Sequence, residues 1–222
     1  MLLAALIVST TYWQTWAVGD LADKQDNSIQ LVSRLTVDRG QILAGGAVLA
    51  TNRRHRKHGL TIFTRRYPAG DLASQVVGYA TEAGTTTGLE QSLDDYLTGA
   101  NTNLTNTFKE ELRKLGGQTV PGDNVILTLR PAVQRLALQE LAGRCGAVVA
   151  LDAKTGAVLT MASSPTYNAN VALQPKGIAR IGRIKGTCGD ASALYNNATQ
   201  GLYPPGSTFK MVTAAAALDS GA

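Results

Sequence analysis

Residues 201–210 read GLYPPGSTFK and run directly into MVTAAAALDSG at residues 211–221. Two prolines and a glycine end any preceding element, and the alanine-rich run that follows favours a helix. The closing Asp-Ser-Gly sequence is typical of a helix C-terminus. We therefore predict a helix that begins at Ser207. Because its side chains are apolar on almost every face between residues 209 and 218, we expect this helix to be buried.

Ser207 and Lys210 are the polar exceptions in this helix. Residues three apart lie on the same helical face, so the two side chains are within reach of each other. A serine hydroxyl is a weak nucleophile that needs a base, and a lysine amine serves as that base when an apolar environment disfavours its charged form. The free backbone N–H groups of a first helical turn favour negative charge. The spacing therefore predicts Ser207 as nucleophile and oxyanion N–H donor, and Lys210 as general base.

The Ser-x-x-Lys spacing is not specific by itself, because a helix-capping serine followed by a solvent-exposed lysine also produces it. The whole string from Tyr203 to Lys210, set before an alanine-rich helix, resembles the active-site serine motif of the penicillin-binding proteins. Further elements extend the resemblance to class B of that family. They are Arg39-Gly40-Gln41-Ile42 with its trailing Leu49-Ala50, Arg65-Arg66-Tyr67-Pro68-Ala69-Gly70, and Gly88-Leu89-Glu90. The turn Ala44-Gly45-Gly46 is similar to that of the actinobacterial penicillin-binding protein A branch.

This resemblance implies a D,D-transpeptidase that cross-links the stem peptides of peptidoglycan in cell-wall synthesis. Ser207 would attack the D-Ala-D-Ala carbonyl of one stem peptide, Lys210 would take up the proton, and the acyl-enzyme would pass to an amine on a second stem. β-Lactam antibiotics would acylate the same serine. The resemblance also implies a single-pass protein of the cytoplasmic membrane, with most of the chain outside the cell, and a role in cell division. The partners that it implies are a membrane glycan polymerase and other cell-division proteins. It implies no metal or organic cofactor.

The order of predicted elements and the resemblance together indicate an α+β fold. We expect a membrane anchor at residues 1–19, a polar stalk at 20–37, a β-rich pedestal similar to a dimerisation domain at 38–120, and the first part of a transpeptidase domain at 121–222. The last part would be an antiparallel sheet with helices. Since neither a Ser-x-Asn nor a Lys-Thr-Gly motif follows Ser207, the resemblance implies the N-terminal part of a longer protein that is inactive alone.

Local patterns predict individual elements along the chain. Hairpins are predicted around Gly45-Gly46 and across residues 146–162, a strand at 125–129, and a helix over 89–97 that ends at Gly99. A capping box predicts another helix at 107–116. The sequence also predicts a helix that begins at Pro131 and buries Val133, Leu136, Ala137 and Leu141.

Residues 1–19 carry no charged side chain and begin with an apolar run, followed by the aromatic cluster at 12–16. Aromatic side chains of this kind suit a membrane interface. A short or truncated transmembrane anchor is the preferred interpretation. A signal peptide and a buried amphipathic helix remain open alternatives.

The 222 residues carry a net charge of +5, which by itself indicates no class of partner. The basic cluster at 53–58 is typical of a solvated turn between strands, or of a patch for anionic lipid or wall polymer. No aromatic platform or recognition helix accompanies it, so nucleic acid is not expected. His55 and His58 lack acidic or cysteine neighbours, and we predict no metal site. The two cysteines, Cys145 and Cys188, either pair in an oxidising compartment or stay as thiols.

Two other classes of function remain open. One is a non-catalytic module of the cell envelope whose pedestal at 38–120 docks membrane partners. The other is a β-lactamase or β-lactam sensor with a Ser-x-x-Lys site, although the Arg-Gly and Arg-x-Tyr-Pro elements argue against it. A Lys-Thr-Gly motif does occur at Lys154-Thr155-Gly156, but it precedes Ser207 and lies at a predicted hairpin tip, so we interpret it as a turn.

Overall fold

A computed structural model describes residues 9–10, 12, 35–57, 59–99, 121–187 and 192–221. The predicted anchor at 1–19 and stalk at 20–37 lie largely outside these residues, and the predicted helix at 107–116 lies wholly outside them. Within the described ranges, no helix is both long enough and apolar enough to cross a membrane.

A four-stranded sheet forms the N-terminal part of the fold. Its strands are β1 (Ile42–Ala44), β2 (Ala47–Lys57), β3 (Leu60–Arg66) and β4 (Val125–Leu127), in the order β3-β2-β1-β4. The hairpin between β1 and β2 is confirmed, and its two glycines have φ angles of 49° and 81° that other residues rarely adopt. The strand predicted near residue 125 is confirmed as β4, which pairs in parallel with β1.

Three short helices pack beside this sheet, namely α1 (Ser74–Val77), α2 (Gly88–Ser92) and α3 (Asp94–Thr98). The prediction of one continuous helix over 89–97 was wrong, because Leu93 leaves helical geometry at φ −115° and ψ 26°. The predicted stop at Gly99 is confirmed, since this residue caps α3 in the left-handed conformation.

The C-terminal part is built on an antiparallel hairpin of β5 (Gly146–Leu151) and β6 (Val158–Ser164), as predicted. α4 (Pro131–Leu141) precedes the hairpin in the chain. The 3-10 helix Ala169–Leu173, α5 (Gly177–Gly182), and a second 3-10 helix, Gly206–Phe209, that leads into α6 (Lys210–Ser220) follow it. Asp152 Oδ1 accepts hydrogen bonds from the N–H groups of Lys154 and Thr155, at 3.0 and 2.9 Å. These bonds lower the pKa of the Asp152 carboxyl below its usual value, and the bond from the Thr155 N–H contributes most. The Lys154-Thr155-Gly156 motif is therefore a surface turn, as interpreted.

The predicted start of α4 is confirmed, since Pro131 occupies its first turn. Its predicted buried face was partly wrong, because Val133 and Leu136 are 38% and 55% exposed while Gln134 is buried beside Ala137. Gln134 tolerates burial because its amide is satisfied. Its Nε2 donates to the Met161 carbonyl at 2.9 Å, and its Oε1 accepts from the Met161 N–H at 2.9 Å.

One hydrophobic core runs through both parts of the fold. The backbone N–H and C=O of Tyr67, at the end of β3, bond to the side-chain amide of Asn170 at 2.9 and 2.7 Å. The Tyr167 hydroxyl donates to the carbonyl of Ser74 in α1 at 3.2 Å. The rings of Tyr79 and Tyr167 meet edge to face with their centroids 6.4 Å apart. The sheet and the C-terminal hairpin are thus joined by packed, hydrogen-bonded contacts.

Candidate active site

Ser207 and Lys210 lie on one continuous helical segment. Ser207 is in the 3-10 helix Gly206–Phe209, and Lys210 is the first residue of α6, so the predicted helix is confirmed with a start one residue earlier. Gly206 has a φ of 52°, which explains why a glycine precedes the serine. The N–H of Lys210 bonds to the carbonyl of Ser207. Their spacing of three places both side chains on one face of the segment.

The prediction that this helix is buried was wrong for the described chain. Phe209, Met211 and Leu218 are 53%, 78% and 83% exposed. The physical reason is that no sheet or helix of the described residues covers it, although its composition is apolar on nearly all faces. Neither the Ser207 hydroxyl nor the Lys210 amine makes a side-chain hydrogen bond within the part of the chain that the structure describes.

The chemistry available to this segment follows from its position at a helix start. Backbone N–H groups in the first turn of a helix lack acceptors inside the helix and favour negative charge, and Ser207 lies in this turn. The Lys210 side chain lies on the same face, three residues further along the segment. This arrangement suits acyl transfer through a serine ester.

The segment that leads to Ser207 is fixed to the hairpin by a buried asparagine. The backbone N–H of Asn197 donates to the Ser163 hydroxyl at 2.9 Å, and its Nδ2 donates to the Ser164 carbonyl at 2.8 Å. Both serines are in β6. The start of the segment that leads to Ser207, here called the serine-bearing segment, is therefore held against the end of the C-terminal hairpin.

A buried ion network joins three of the elements that carried the family resemblance. The Glu90 side chain is fully buried, and its carboxylate accepts from Arg65 Nε at 2.6 Å and from Arg39 Nη2 at 3.1 Å. The Tyr67 hydroxyl donates to the same carboxylate at 3.2 Å. Arg39 also pairs with the half-exposed Asp94 at 2.7 Å. This network was not predicted from the sequence. The signal that could have indicated it is that Glu90 is the one acidic residue in the quoted class B motifs, which also contain Arg39 and Arg65.

The network also holds the Tyr67 phenol in its protonated form. Burial, and then the negative charge of Glu90, raise the pKa of Tyr67 well above its usual value. The phenol oxygen accepts from the Ala80 N–H at 2.7 Å while its proton bonds to Glu90. Burial also raises the pKa of Tyr167 in the same core.

Cys145, at the start of the C-terminal hairpin, is disulfide-bonded. The sequence contains one other cysteine, Cys188, which lies outside the described residues. Of the two states that the sequence left open for Cys145, the structure has the disulfide.

Two family models match the chain in consecutive segments. The penicillin binding protein A dimerisation domain matches residues 39–125, and the penicillin binding protein transpeptidase domain matches residues 146–222. The second segment contains both Ser207 and Lys210.

Curated relatives align with the whole chain. It is 34% identical over 233 residues to the peptidoglycan D,D-transpeptidase PbpA of Mycolicibacterium smegmatis, covering 100% of this chain and 46% of the relative. It is 33% identical to PbpA of Mycobacterium tuberculosis, covering 45% of that protein. The chain thus spans about half the length of these relatives.

Solved structures agree with this relationship. The ceftriaxone acyl-enzyme complex of penicillin-binding protein A from M. tuberculosis superposes with a TM-score of 0.72 at 33% identity, covering 86% of this chain and 43% of that one. A D,D-transpeptidase domain from Eggerthella lenta superposes with a TM-score of 0.64 at 38% identity, covering 83% of this chain and 38% of that one. With both family models matched in order and homologues along its full length, the chain belongs to the penicillin-binding proteins, and among its relatives are those of the penicillin-binding protein A type.

Proposed function

We propose that this chain supplies the nucleophilic serine of a peptidoglycan D,D-transpeptidase. The observation that carries the proposal is the placement of Ser207 and Lys210 on one face at the start of a helix, inside the segment that matches the transpeptidase family model. Relatives that are named D,D-transpeptidases support the same reaction class. A solved relative captured as a ceftriaxone acyl-enzyme supports β-lactams as ligands.

In the proposed reaction, the Ser207 oxygen bonds to the carbonyl carbon of a D-Ala-D-Ala stem peptide while Lys210 takes the hydroxyl proton. The backbone N–H of Ser207 stabilises the tetrahedral oxyanion, and a donor of this kind contributes about 3–4 kcal/mol to lowering such a barrier. The terminal D-Ala leaves as an amine that takes a proton. An amine of a second stem then attacks the ester and restores the serine hydroxyl.

We propose the same organisation for the chain that its sequence predicts. Residues 38–120 would form a pedestal, residues 121–222 would form part of the catalytic domain, and the apolar residues 1–19 would anchor the protein in the cytoplasmic membrane. β4 would link the two units, because it follows the pedestal in sequence and pairs with β1. A membrane glycan polymerase and other cell-division proteins are the partners that we propose for the pedestal.

The test is acylation by a β-lactam in the protein purified from its own cells. Intact mass spectrometry and peptide mapping should show one penicillin adduct per molecule, located on Ser207. The Ser207→Ala variant should show none. Lys210→Met should slow acylation by about 10²- to 10⁴-fold, the range for loss of a general base, whereas Lys154→Met in the exposed turn should acylate at the normal rate.

Each outcome discriminates between the functions considered. A stable adduct supports the transpeptidase, whereas rapid release of hydrolysed penicillin would indicate a β-lactamase. A folded protein that forms no adduct would replace the enzyme with a non-catalytic module of the cell envelope. Equal rates for Lys210→Met and the native protein would remove Lys210 from the mechanism.

A further inference from the structure

The positive charge of this chain is concentrated in one hairpin. Residues 51–66, here called the basic ribbon, contain six of the chain's 21 Lys and Arg residues and none of its 16 Asp and Glu residues. The remaining 206 residues therefore hold 15 basic and 16 acidic residues, and the net charge of +5 arises from the ribbon. A local excess of this size produces a field that attracts anionic partners.

The basic ribbon extends beyond the rest of the sheet. β1 pairs with β2 only as far as Ala50, whereas residues Thr51 to Lys57 pair only with β3. The basic cluster was interpreted either as a solvated turn or as a patch for anionic lipid or wall polymer. Its residues 53–57 lie on a strand, so the first interpretation was wrong for them. Seven residue pairs at a rise of about 3.4 Å give the ribbon a length of roughly 20 Å.

Three cationic side chains of the ribbon are available to a partner. Arg53, Arg54 and Arg56 are exposed. The three ion pairs found within the described residues involve Arg39 and Arg65, and none involves these exposed arginines. At the base of the ribbon, Glu90 pairs with Arg65, Asp38 accepts a hydrogen bond from Asn52, and Glu82 and Asp94 line a cavity.

Charge occurs on both faces of the ribbon. Because side chains alternate along a strand, Arg54 and Arg56 lie on one face, and Arg53 and His55 lie on the other. The hydrogen bond between His55 Nε2 and Thr64 Oγ1, at 3.1 Å, agrees with this register. A two-sided distribution suits insertion into a layer of anionic headgroups better than docking against one face of an acidic protein.

The tip and the base of the ribbon give two further indications. Leu60 at the tip is 51% exposed, so an apolar side chain adjoins the cationic strands, as in peripheral membrane-binding segments. At the base, Leu35 and Phe63 line the same cavity. The N-terminal segment, which carries the proposed anchor, therefore enters the fold at the base of the ribbon.

We propose that the basic ribbon binds the phosphate groups of an anionic lipid membrane, with Leu60 reaching the boundary between headgroups and acyl chains. This inference rests on the proposed function only for the membrane anchoring that brings the ribbon close to a bilayer. Each Lys or Arg near an anionic surface strengthens binding by a factor of about five. Three arginines together would account for roughly 100-fold.

The test is amide hydrogen exchange of the whole chain reconstituted in vesicles. One set contains phosphatidylcholine alone, and the other contains phosphatidylcholine with phosphatidylglycerol at about 7:3. We expect the amides of residues 51–64 to exchange at least fivefold more slowly in the anionic vesicles, and the difference to disappear at high salt. Leu60→Asn should retain part of the protection, because it removes the apolar contact but not the charge.

Matched charge variants identify the surface that is responsible. Arg53→Gln, Arg54→Gln and Arg56→Gln together should abolish the protection. Removing three exposed charges elsewhere, by changing Arg135, Lys154 and Arg183 to Gln, should leave it intact. Equal exchange in both vesicle types, equal effects of the two triple variants, or protection by a soluble poly(glycerol phosphate) without protection by vesicles would overturn the proposal. β-Lactam acylation at Ser207 is measured separately, so a failure of either proposal is recognised independently.

Discussion

Replacing Glu90 by glutamine should lower the free energy of unfolding by about 3–5 kcal/mol. The Glu90 side chain is fully buried, and the guanidinium of Arg65 beside it is 2% exposed. Glutamine keeps the size of the side chain but removes the charge that balances Arg65 and Arg39. The loss is not compensated nearby, because Arg65 Nη2 and Arg39 Nε already lack acceptors within the described residues. The variant would leave a buried arginine charge without its carboxylate partner, and this unpaired charge destabilises the folded state.

Asp94 provides the matched control, because it pairs with the same Arg39. Its distance of 2.7 Å is shorter than the 3.1 Å between Arg39 and Glu90, but its side chain is 45% exposed. If the shortest ion-pair distance determined the contribution, the two changes would cost about the same, because Glu90 also pairs with Arg65 at 2.6 Å. Since water screens the exposed pair, we expect Asp94→Asn to cost less than about 1 kcal/mol.

Urea unfolding followed by circular dichroism measures both changes. For a protein of this size, the loss at Glu90 corresponds to a fall in Tm of about 10 °C. Combining Glu90→Gln with Arg65→Met should restore part of the loss, because the unpaired buried cation is then removed. Costs for Glu90→Gln and Asp94→Asn within about 0.5 kcal/mol of each other would refute the argument from burial.

Three further predictions concern the core. The raised pKa of Tyr67 means that the folded state keeps a proton that the unfolded state releases near pH 10.0, so stability falls as pH rises above 10. Tyr67→Phe should reduce that fall by up to about 1.4 kcal/mol per pH unit in urea unfolding between pH 10 and 12. Gln134→Leu should cost about 3 kcal/mol in the same assay at neutral pH, because the buried Thr160 hydroxyl and the part-buried N–H and C=O of Met161 lose their partner. Gly78→Ala should cost at least about 3 kcal/mol, because the added Cβ would lie 1.9 Å from the carbonyl oxygen of Thr87. Gly143→Ala is the control: its φ of 75° is similar but the space around it is open, so it should cost about 1–2 kcal/mol.

The elements that could be predicted from sequence are those specified by neighbouring residues. The Gly45-Gly46 turn, the helix start at Pro131 and the left-handed cap at Gly99 all depend on backbone preferences of single residues. The helix at Ser207 was predicted for the same reason, since Pro204, Pro205 and Gly206 precede an alanine-rich run. Local chemistry of this kind does not require knowledge of distant contacts.

The errors arose where distant residues decide the outcome. Gln134 is buried because the backbone of Met161, 27 residues away, satisfies its amide, and a hydrophobic pattern cannot indicate this. Val133 and Leu136 suit a buried face by pattern, but in the described chain they face solvent. Glu90 and Arg39 are 51 residues apart, so their pairing follows from the packing of α2 against the sheet rather than from spacing. Roles for Ser207 and Lys210 stay predictions until acylation is measured.

Hydrogen bonds and chain continuity together connect the network around Glu90 with the segment that leads to Ser207. Glu90 accepts a hydrogen bond from the Tyr67 hydroxyl, and the backbone of Tyr67 bonds to the side chain of Asn170 just beyond the C-terminal hairpin. That hairpin in turn holds Asn197, at the start of the segment that leads to Ser207. Because these contacts share one hydrophobic core, the sheet and the hairpin should unfold together rather than as separate units. The N-terminal motifs that carried the family resemblance therefore belong to the same packed unit as the hairpin that holds Asn197.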